Sequence, residues 1–453
     1  MEDREIKKLA VDIIDLVESD KTDLIKNIIN ALHFADLTEI LYYLSEENRL
    51  YVFKLLDAEI ASQVISELDD NIREQLLDEL DIKRISEIAD EMDSDDATDL
   101  VSNLSNEEAT LVLADMDKED SAEVKELLAH DEETAGGIMA KEFISIEQNR
   151  TAEEAINEIR NKAEEVKYVY YVFVVDEKGV LLGFISLKRL ILADQKKKLS
   201  LIMNRDVISV KTTLDQEEVA NIVKKYDLIS VPVVDEKGVL VGRITIDDIM
   251  DVIDEEVSED IQKMAGISEE EVSETSPLKI SRVRLPWLIA GLVGGTIAAL
   301  IISRFENSLR TMISLEKIII LSFFTPVIMS TGGNVGIQSS TIIVRGLATG
   351  DISFFDAYKH LYKEIKVAII NGLACSLIIF SVAYVWKNIN LALLLGGSLF
   401  LIMNIAAFVG ALIPLILKKL NLDPAVATGP FITISNDIIG LIIYFSLSIL
   451  LIS

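Results

Sequence analysis

Asp437 stands inside the last long apolar stretch of the chain. An ionisable side chain at membrane depth is costly, so it should face protein or a water-filled path. Counted from Pro424, it lies 13 residues in, about 20 Å if the stretch is regular helix. Its neighbours at helical spacing are Gly429, Thr433, Gly440 and Tyr444. That stripe is small and polar, suited to an ion path or to a close helix contact. The second apolar stretch carries Pro326 and then Thr331-Gly332-Gly333-Asn334-Val335-Gly336-Ile337-Gln338. This composition predicts a break in the helix, whose freed carbonyls could bind ions or water beside a cavity. Carboxylate, carbonyl and amide oxygens suit a hard divalent cation, and magnesium sheds its water reluctantly. His33, His130 and His360 are scattered and Cys375 is single, so no zinc or copper set is expected. No phosphate-binding glycine loop and no nucleophile–base pair emerges, so the chain does not read as an enzyme.

Five apolar stretches must position these residues: about Leu285–Ser303, Ile318–Val344, Val367–Trp386, Leu391–Leu417 and Pro424–Ser453. Each is long enough to span about 30 Å of hydrocarbon. Arg282, Arg284, Arg345, Lys359, Lys363, Lys366, Lys418 and Lys419 cluster on one set of connections; Arg304, Arg310, Lys317 and Lys387 lie on the other. The bias of positive charge puts the N terminus in the cytosol and the C terminus outside. Residues 1–20 are charged and lack an apolar core, so a cleaved signal peptide is not expected.

Charge divides the 453 residues in two. Residues 281–453 hold 12 Lys+Arg and 7 Asp+Glu, a net of +5; the first 280 hold 31 and 68, a net of −37. Such a polyanion is unsuited to nucleic acid, and cations are its natural partners. Apolar residues recur every 12 positions at Leu44, Leu56, Leu68, Leu80, Met92, Leu104, Met116 and Leu128. A capping type usually follows: Ser45, Asp57, Asp69, Asp81, Asp93, Ser105, Asp117. The unit is a helix of two turns and a corner, which buries its apolar face only by stacking into a solenoid. Its acidic surface could be a cation sensor or a scaffold.

A second repeat lies at 135–255. Val174-Val175-Asp176-Glu177-Lys178-Gly179-Val180 returns as Val233-Val234-Asp235-Glu236-Lys237-Gly238-Val239. Strands flank each turn; helices precede (Thr151–Ala163; Leu214–Tyr226) and follow. This order, twice, resembles a tandem pair of CBS domains. Such pairs often bind adenine nucleotides through a Thr/Ser-x-x-Asp stretch, matched by Thr245 and Asp248, whereas the first copy has Ser186 and Arg189. Thr245 and Asp248 also read as a helix-capping box. The helix that follows runs to about Ala265 and stops at Gly266. One stripe is apolar (Met250, Ile253, Val257, Ile261, Met264), another acidic (Asp247, Asp251, Glu255, Glu259). Like charges four apart repel by a few tenths of a kcal/mol, roughly, per pair, which a cation would relieve. A polar linker, Ser268 to Ser281, leads to the membrane region.

Across nearly its whole length the chain resembles the MgtE family of magnesium channels. The motifs are Gly332-Gly333-Asn334-x-Gly336-x-Gln338, Arg345-Gly346-Leu347-Ala348-Thr349, and Asp423-Pro424-Ala425 leading to Asp437 and Gly440. The resemblance implies an acidic helical-repeat domain (1–134), two CBS domains (135–199 and 200–246), a connecting or plug helix with linker (247–281) and a five-span membrane domain (282–453). It implies a homodimer in the cell membrane with the pore between subunits. Asp437 matches the pore aspartate, Thr433 and Gly429 line the same path, and Gly440, Gly332, Gly333 and Asn334 join it. Gly429 replaces a polar residue often found before that proline, and Thr433 is larger than the usual alanine. Sensor acids map onto Asp215, Glu217, Asp227, Asp248, Asp251, Glu256 and Glu259, with Asp95 and Asp99 in the solenoid. Magnesium bridging these acids would compact the cytosolic part and shut the pore, and ATP or a related nucleotide could bind the CBS pair. The other readings are a channel for cobalt or manganese and a membrane-anchored divalent sensor that conducts nothing.

Overall fold

The computed structural model describes all residues except 1–2, 163–165, 167, 268–275, 311–313, 349–351, 353–356, 421, 426–428 and 453. The chain forms two compact units, 1–253 and 254–453. Ala163, residues 268–275 of the expected linker, Thr349 and Ser453 lie outside the described residues.

The first unit opens with ten helices, α1–α10, from Asp3–Glu18 to Lys118–Leu127. From α4 onward they are 8 to 10 residues long and start after Ser45, Asp57, Asp69, Asp81, Asp93, Ser105 and Asp117, the seven capping residues of the repeat. The side chain accepts a helix N–H at Ser45, Asp81 and Ser105, and Ser105 forms a full capping box with Glu108. Helices that short are marginal alone. Stacked, they bury Leu44, Leu56, Leu68 and Met116 with Ile40, Phe53, Ile65 and Val101 in one core.

The CBS pair repeats one unit. β1 (Ser145–Glu147) lies parallel to β2 (Tyr171–Val175), which pairs antiparallel with β3 (Leu181–Ser186). The second copy repeats this with β4 (Val210–Lys211), β5 (Ser230–Val234) and β6 (Leu240–Thr245). α11 (Ala152–Asn161) precedes the first strand pair, and α12 (Leu187–Leu192) and α13 (Leu199–Ile202) follow it; α14 (Gln216–Tyr226) precedes the second. The duplicated turns are built alike. Asp176 accepts from the N–H of Lys178 and Val180, and Asp235 from those of Lys237 and Val239. Gly179 and Gly238 take φ of +79° and +81°, open to glycine without strain. The turns also pair with each other: Leu181 N–H donates to Gly238 C=O and Leu240 N–H to Gly179 C=O, both at 3.0 Å. The repeat is thus two half-interfaces, each completing the other. After β6, α15 (Ile246–Ala265) runs 20 residues and ends at Gly266, φ +73°.

Among its described residues the second unit holds five helices long and apolar enough to cross a membrane: α16 (Pro277–Leu309), α17 (Leu315–Ala348), α18 (Ala357–Trp386), α19 (Ile389–Lys419) and α20 (Pro430–Ile452). α19 packs against α17, α18 and α20 and forms the centre of the bundle. Tyr444, fully buried, donates its hydroxyl to Leu321 C=O at 3.0 Å and ties α20 to α17, so it is an anchor and no part of a path.

Three expectations change. α17 is one continuous helix through Pro326 and the glycine motif; the expected break is absent. Its glycines serve packing instead. A Cβ on Gly336 would overlap the Asn436 amide, and a Cβ on Gly410 would strike the Gly336 carbonyl. Glycine lets backbones approach this closely. α20 begins at Pro430, not Pro424, so Asp437 is 7 residues in, about 10 Å. The last part of the expected linker is already helical, because α16 starts at Pro277 and includes Arg282 and Arg284.

Candidate functional site

A pocket of ≈ 400 Å³ opens beside Asp437 in the second unit. α20 contributes Pro430, Thr433 and Asp437; α16 contributes Gly291, Gly294 and Gly295; Gly429 and the end of α15 (Met264, Ala265) complete one side. No described residue donates a hydrogen bond or ion pair to the Asp437 carboxylate, whose oxygens are left to the pocket. The Thr433 hydroxyl donates back to Gly429 C=O at 3.2 Å, which leaves its oxygen able to accept. Around Gly291 and Gly295 nothing would meet an added Cβ within 4 Å. Such a wall leaves room for a cation with part of its water, which suits an ion that dehydrates reluctantly.

The pocket brings Asp437, Thr433 and Gly429 together. It does not include the other expected path residues. Gly332 and Gly440 both sit against Ile402, Gly333 lies behind Thr433, and Asn334 is exposed. With α17 unbroken, its carbonyls stay in the helix ladder. The glycines of α16 were missed; the Gly294-Gly295 pair inside the first span was the available signal.

The end of α15 lies over this pocket. The Met264 carbonyl is 2.6 Å from where a Gly429 Cβ would stand, and Gly266 faces Trp287 and Pro430. Lys263 pairs with Asp423, in the loop before α20, at 2.8 Å, and with Glu259 one turn back. Burial alone would push the Lys263 ammonium down, but its hydrogen bonds to Asp423 and Glu259 outweigh that and raise it. Asp260 is pushed up to about 6 by burial and then by the Asp423 charge, against Lys263 and Lys418. Lys263, Asp260 and Asp423 were not singled out as ion-binding residues from sequence.

In the first unit, acids collect where α8 (Ser94–Ser102) meets the first turn of α15. Burial, then the Asp248 charge, pushes Asp95 well above the ordinary range. Asp99 is open to solvent at its edge but set among protein atoms; burial first, then Glu132 and Asp248, raise it to about 6 despite Arg73. Glu142, missed in the sequence because it belongs to no repeat, accepts from Ser94 N–H and Oγ, both at 2.9 Å. Burial and the Asp93 charge raise it. Asp248 accepts from Thr245 N–H at 2.8 Å and from Thr245 Oγ1 at 2.7 Å. This is the capping arrangement, and burial still raises Asp248 against those bonds. Asp215 caps α14 and accepts from Glu217 N–H, and Asp227 ends α14 at φ +50°. Asp251 and Glu256 lie farther along α15. Among the described residues no three acidic, His or Cys side chains converge as a metal cage. The acids form a charged face, not a closed coordination shell.

Between the CBS copies is a narrow cleft lined by Phe143, Tyr170, Tyr171 and Phe173 with Ser230 and Arg243. Arg243 is buried and donates to Tyr168 C=O at 2.6 Å, while its Nε and the Ser230 hydroxyl have no hydrogen-bond partner among the described residues.

A charged residue beside a pocket in a five-helix bundle, joined to an acidic domain and a CBS pair, defines a regulated membrane cation transporter. The MgtE divalent cation transporter profile matches residues 325–447, the MgtE intracellular N domain residues 32–133, and CBS domains residues 135–196 and 199–255. The magnesium transporter MgtE of Thermus thermophilus is 36% identical over 98% of this chain and 99% of its own length. That of Enterococcus faecalis is 40% identical over 73% and 71%. A crystal structure of the cytosolic domain of the Mg2+ channel MgtE in complex with ATP superposes with a TM-score of 0.52 at 35% identity, over 54% of this chain and 99% of that one. The chain belongs to the MgtE family of divalent cation transporters. It is a multi-pass membrane protein with a cytosolic N-terminal part, and a transporter rather than an enzyme.

Proposed function

We propose that this chain is the subunit of a homodimeric magnesium channel whose ion path passes Asp437 and whose gate is the end of α15. The observation that carries the reading is the pocket that Asp437 shares with Met264 and Ala265. One carboxylate, a threonine and a glycine wall suit a hydrated divalent ion, and the relative matched over 98% of this chain is a magnesium transporter, as is the one matched over 73%. Met250, Ile253, Val257 and Ile261 on α15 are all exposed in the single chain, an apolar stripe that a second subunit would cover. Positive charge at the α18 start and the α19 end favours a cytosolic N terminus and an outer C terminus.

Gating follows from charge. At low cytosolic magnesium the acids around Asp95, Asp99 and Asp248, with Asp215, Glu217, Asp227, Asp251, Glu256 and Glu259, repel and the cytosolic part loosens. Magnesium neutralises them and favours the compact state that seats α15 over the pocket. Because no closed shell is built, many loose sites act together, which suits sensing at roughly millimolar levels. An adenine nucleotide at the CBS pair belongs to this reading, supported by the related cytosolic domain in complex with ATP.

The test is magnesium uptake by proteoliposomes carrying wild type or Asp437→Ala, with magnesium varied on the cytosolic face. Flux in the wild type, suppressed by high magnesium and lost in the variant, is expected. Equal flux in both proteins would remove Asp437 from the path. Cobalt and manganese in the same assay decide selectivity.

A further inference from the structure

Lys263 is the single basic residue of α15, and it sits where a loose cation would otherwise be needed. Its ammonium bridges Glu259 on its own helix and Asp423 on the loop between α19 and α20. The surroundings are acidic: Asp260 feels both Asp423 and Glu259, with Lys263 and Lys418 opposing them. Without a positive charge between them, the carboxylates of α15 and the loop would repel. Lysine supplies a compact point charge on a flexible stem, and it cannot diffuse away when magnesium falls. The next residue, Met264, places its carbonyl against Gly429, and Gly266 lies beside Trp287 and Pro430. The ion pair therefore fastens the segment that covers the Asp437 pocket.

We propose that Lys263 is a tethered cation that latches the end of α15 to the α19–α20 loop through Asp423, independently of magnesium. This rests on the reading of α15 as the gate. The latch biases the pore toward closure, and divalent ions bound elsewhere complete it. It also keeps Glu259 engaged, so that acid takes part in magnesium sensing only when Lys263 lets go.

The pair's side chains are 30% and 35% exposed, so its strength is that of a partly screened ion pair. Loss should raise the cytosolic magnesium that halves flux by about two- to fivefold. The variants are Lys263→Met, Asp423→Lys and the swap Lys263→Asp with Asp423→Lys in the full-length protein. Two readouts are taken: the magnesium dependence of flux in proteoliposomes, and amide hydrogen exchange of residues 254–266 in magnesium-free buffer. Faster exchange and weaker closure in the single variants, with recovery in the swap, are expected. Unchanged exchange in Lys263→Met would overturn the latch, and faster exchange with unchanged closure would overturn its role in gating. If no variant or wild type conducts, the channel reading fails while exchange still decides whether the contact holds.

Discussion

The two halves of this molecule use carboxylates in opposite ways. The first 280 residues hold 68 acids, the remaining 173 only 7. In the first unit Asp95, Asp99, Glu142 and Asp248 are all raised, by burial first and then by neighbouring acids, with the Asp248 charge acting on both Asp95 and Asp99. In the second, Asp437 alone faces its pocket. An acid among many is replaceable, and its effect is a share of a summed field. A lone acid in a path has no substitute. On the proposed function, sensing is distributed and conduction concentrated.

The sharpest way to break this contrast is Asp437→Asn, which keeps shape and removes charge. Losing a charged ligand from a poorly solvated site is worth about 3 kcal/mol, so magnesium flux should fall by about a hundredfold. A drop of less than threefold would mean that conduction too is distributed. Next in size is the triple change Asp95→Asn, Asp99→Asn, Asp248→Asn. The amide oxygen that replaces the Asp248 carboxylate could still accept from the Thr245 N–H, so the cap survives. Three partly screened charges together are worth about 1.5 kcal/mol, which should shift the closing magnesium concentration by about tenfold. The same flux assay reads it, and peak flux should stay near wild type. If peak flux collapsed, these acids would belong to the path and not to its control.

Much of this division was legible in the sequence, for reasons visible in single residues. The spacing of Leu44, Leu56 and Leu68 fixed the solenoid period, because short helices have no other way to bury an apolar face. The seven capping residues marked each helix start, since a Ser or Asp there meets free N–H groups. Asp437 stood out because a charge in an apolar span needs a reason. Gly336 was misread. Glycine signals a break or a close approach equally well, and only the Asn436 side chain and Gly410 on neighbouring helices decide between them. Lys263 and Glu142 were illegible for a related cause: each is defined by a partner far along the chain, Asp423 and Ser94.

A smaller effect tests the crowded half from its protons. Asp95, Asp99, Asp248 and Glu142 are all raised, Asp99 to about 6. The assembled state therefore holds protons that the loosened state releases. Its stability is full at low pH and falls as pH rises through the usual carboxylate range and then through about 6. In magnesium-free buffer, lowering pH from 7.5 to 5.5 should slow hydrogen exchange of α8 by on the order of two- to tenfold, after correction for intrinsic rates. Saturating magnesium should flatten that dependence, because the metal already neutralises the acids. A pH dependence unchanged by magnesium would mean that protons and metal act at different places.

The smallest effect is the most selective. Asp227 ends α14 in the left-handed region, φ +50°, which Asp and Asn tolerate better than other side chains. Asp227→Ala would mix lost charge with backbone strain of about 1 kcal/mol. Asp227→Asn removes the charge and leaves the cap. If sensing is a sum over many loose acids, this single change should move the closing magnesium concentration by less than about twofold. It should also leave the unfolding temperature of α14's domain in place. A shift as large as that of the triple variant would show one dominant site in the cytosolic half, and the two halves would then work by the same rule.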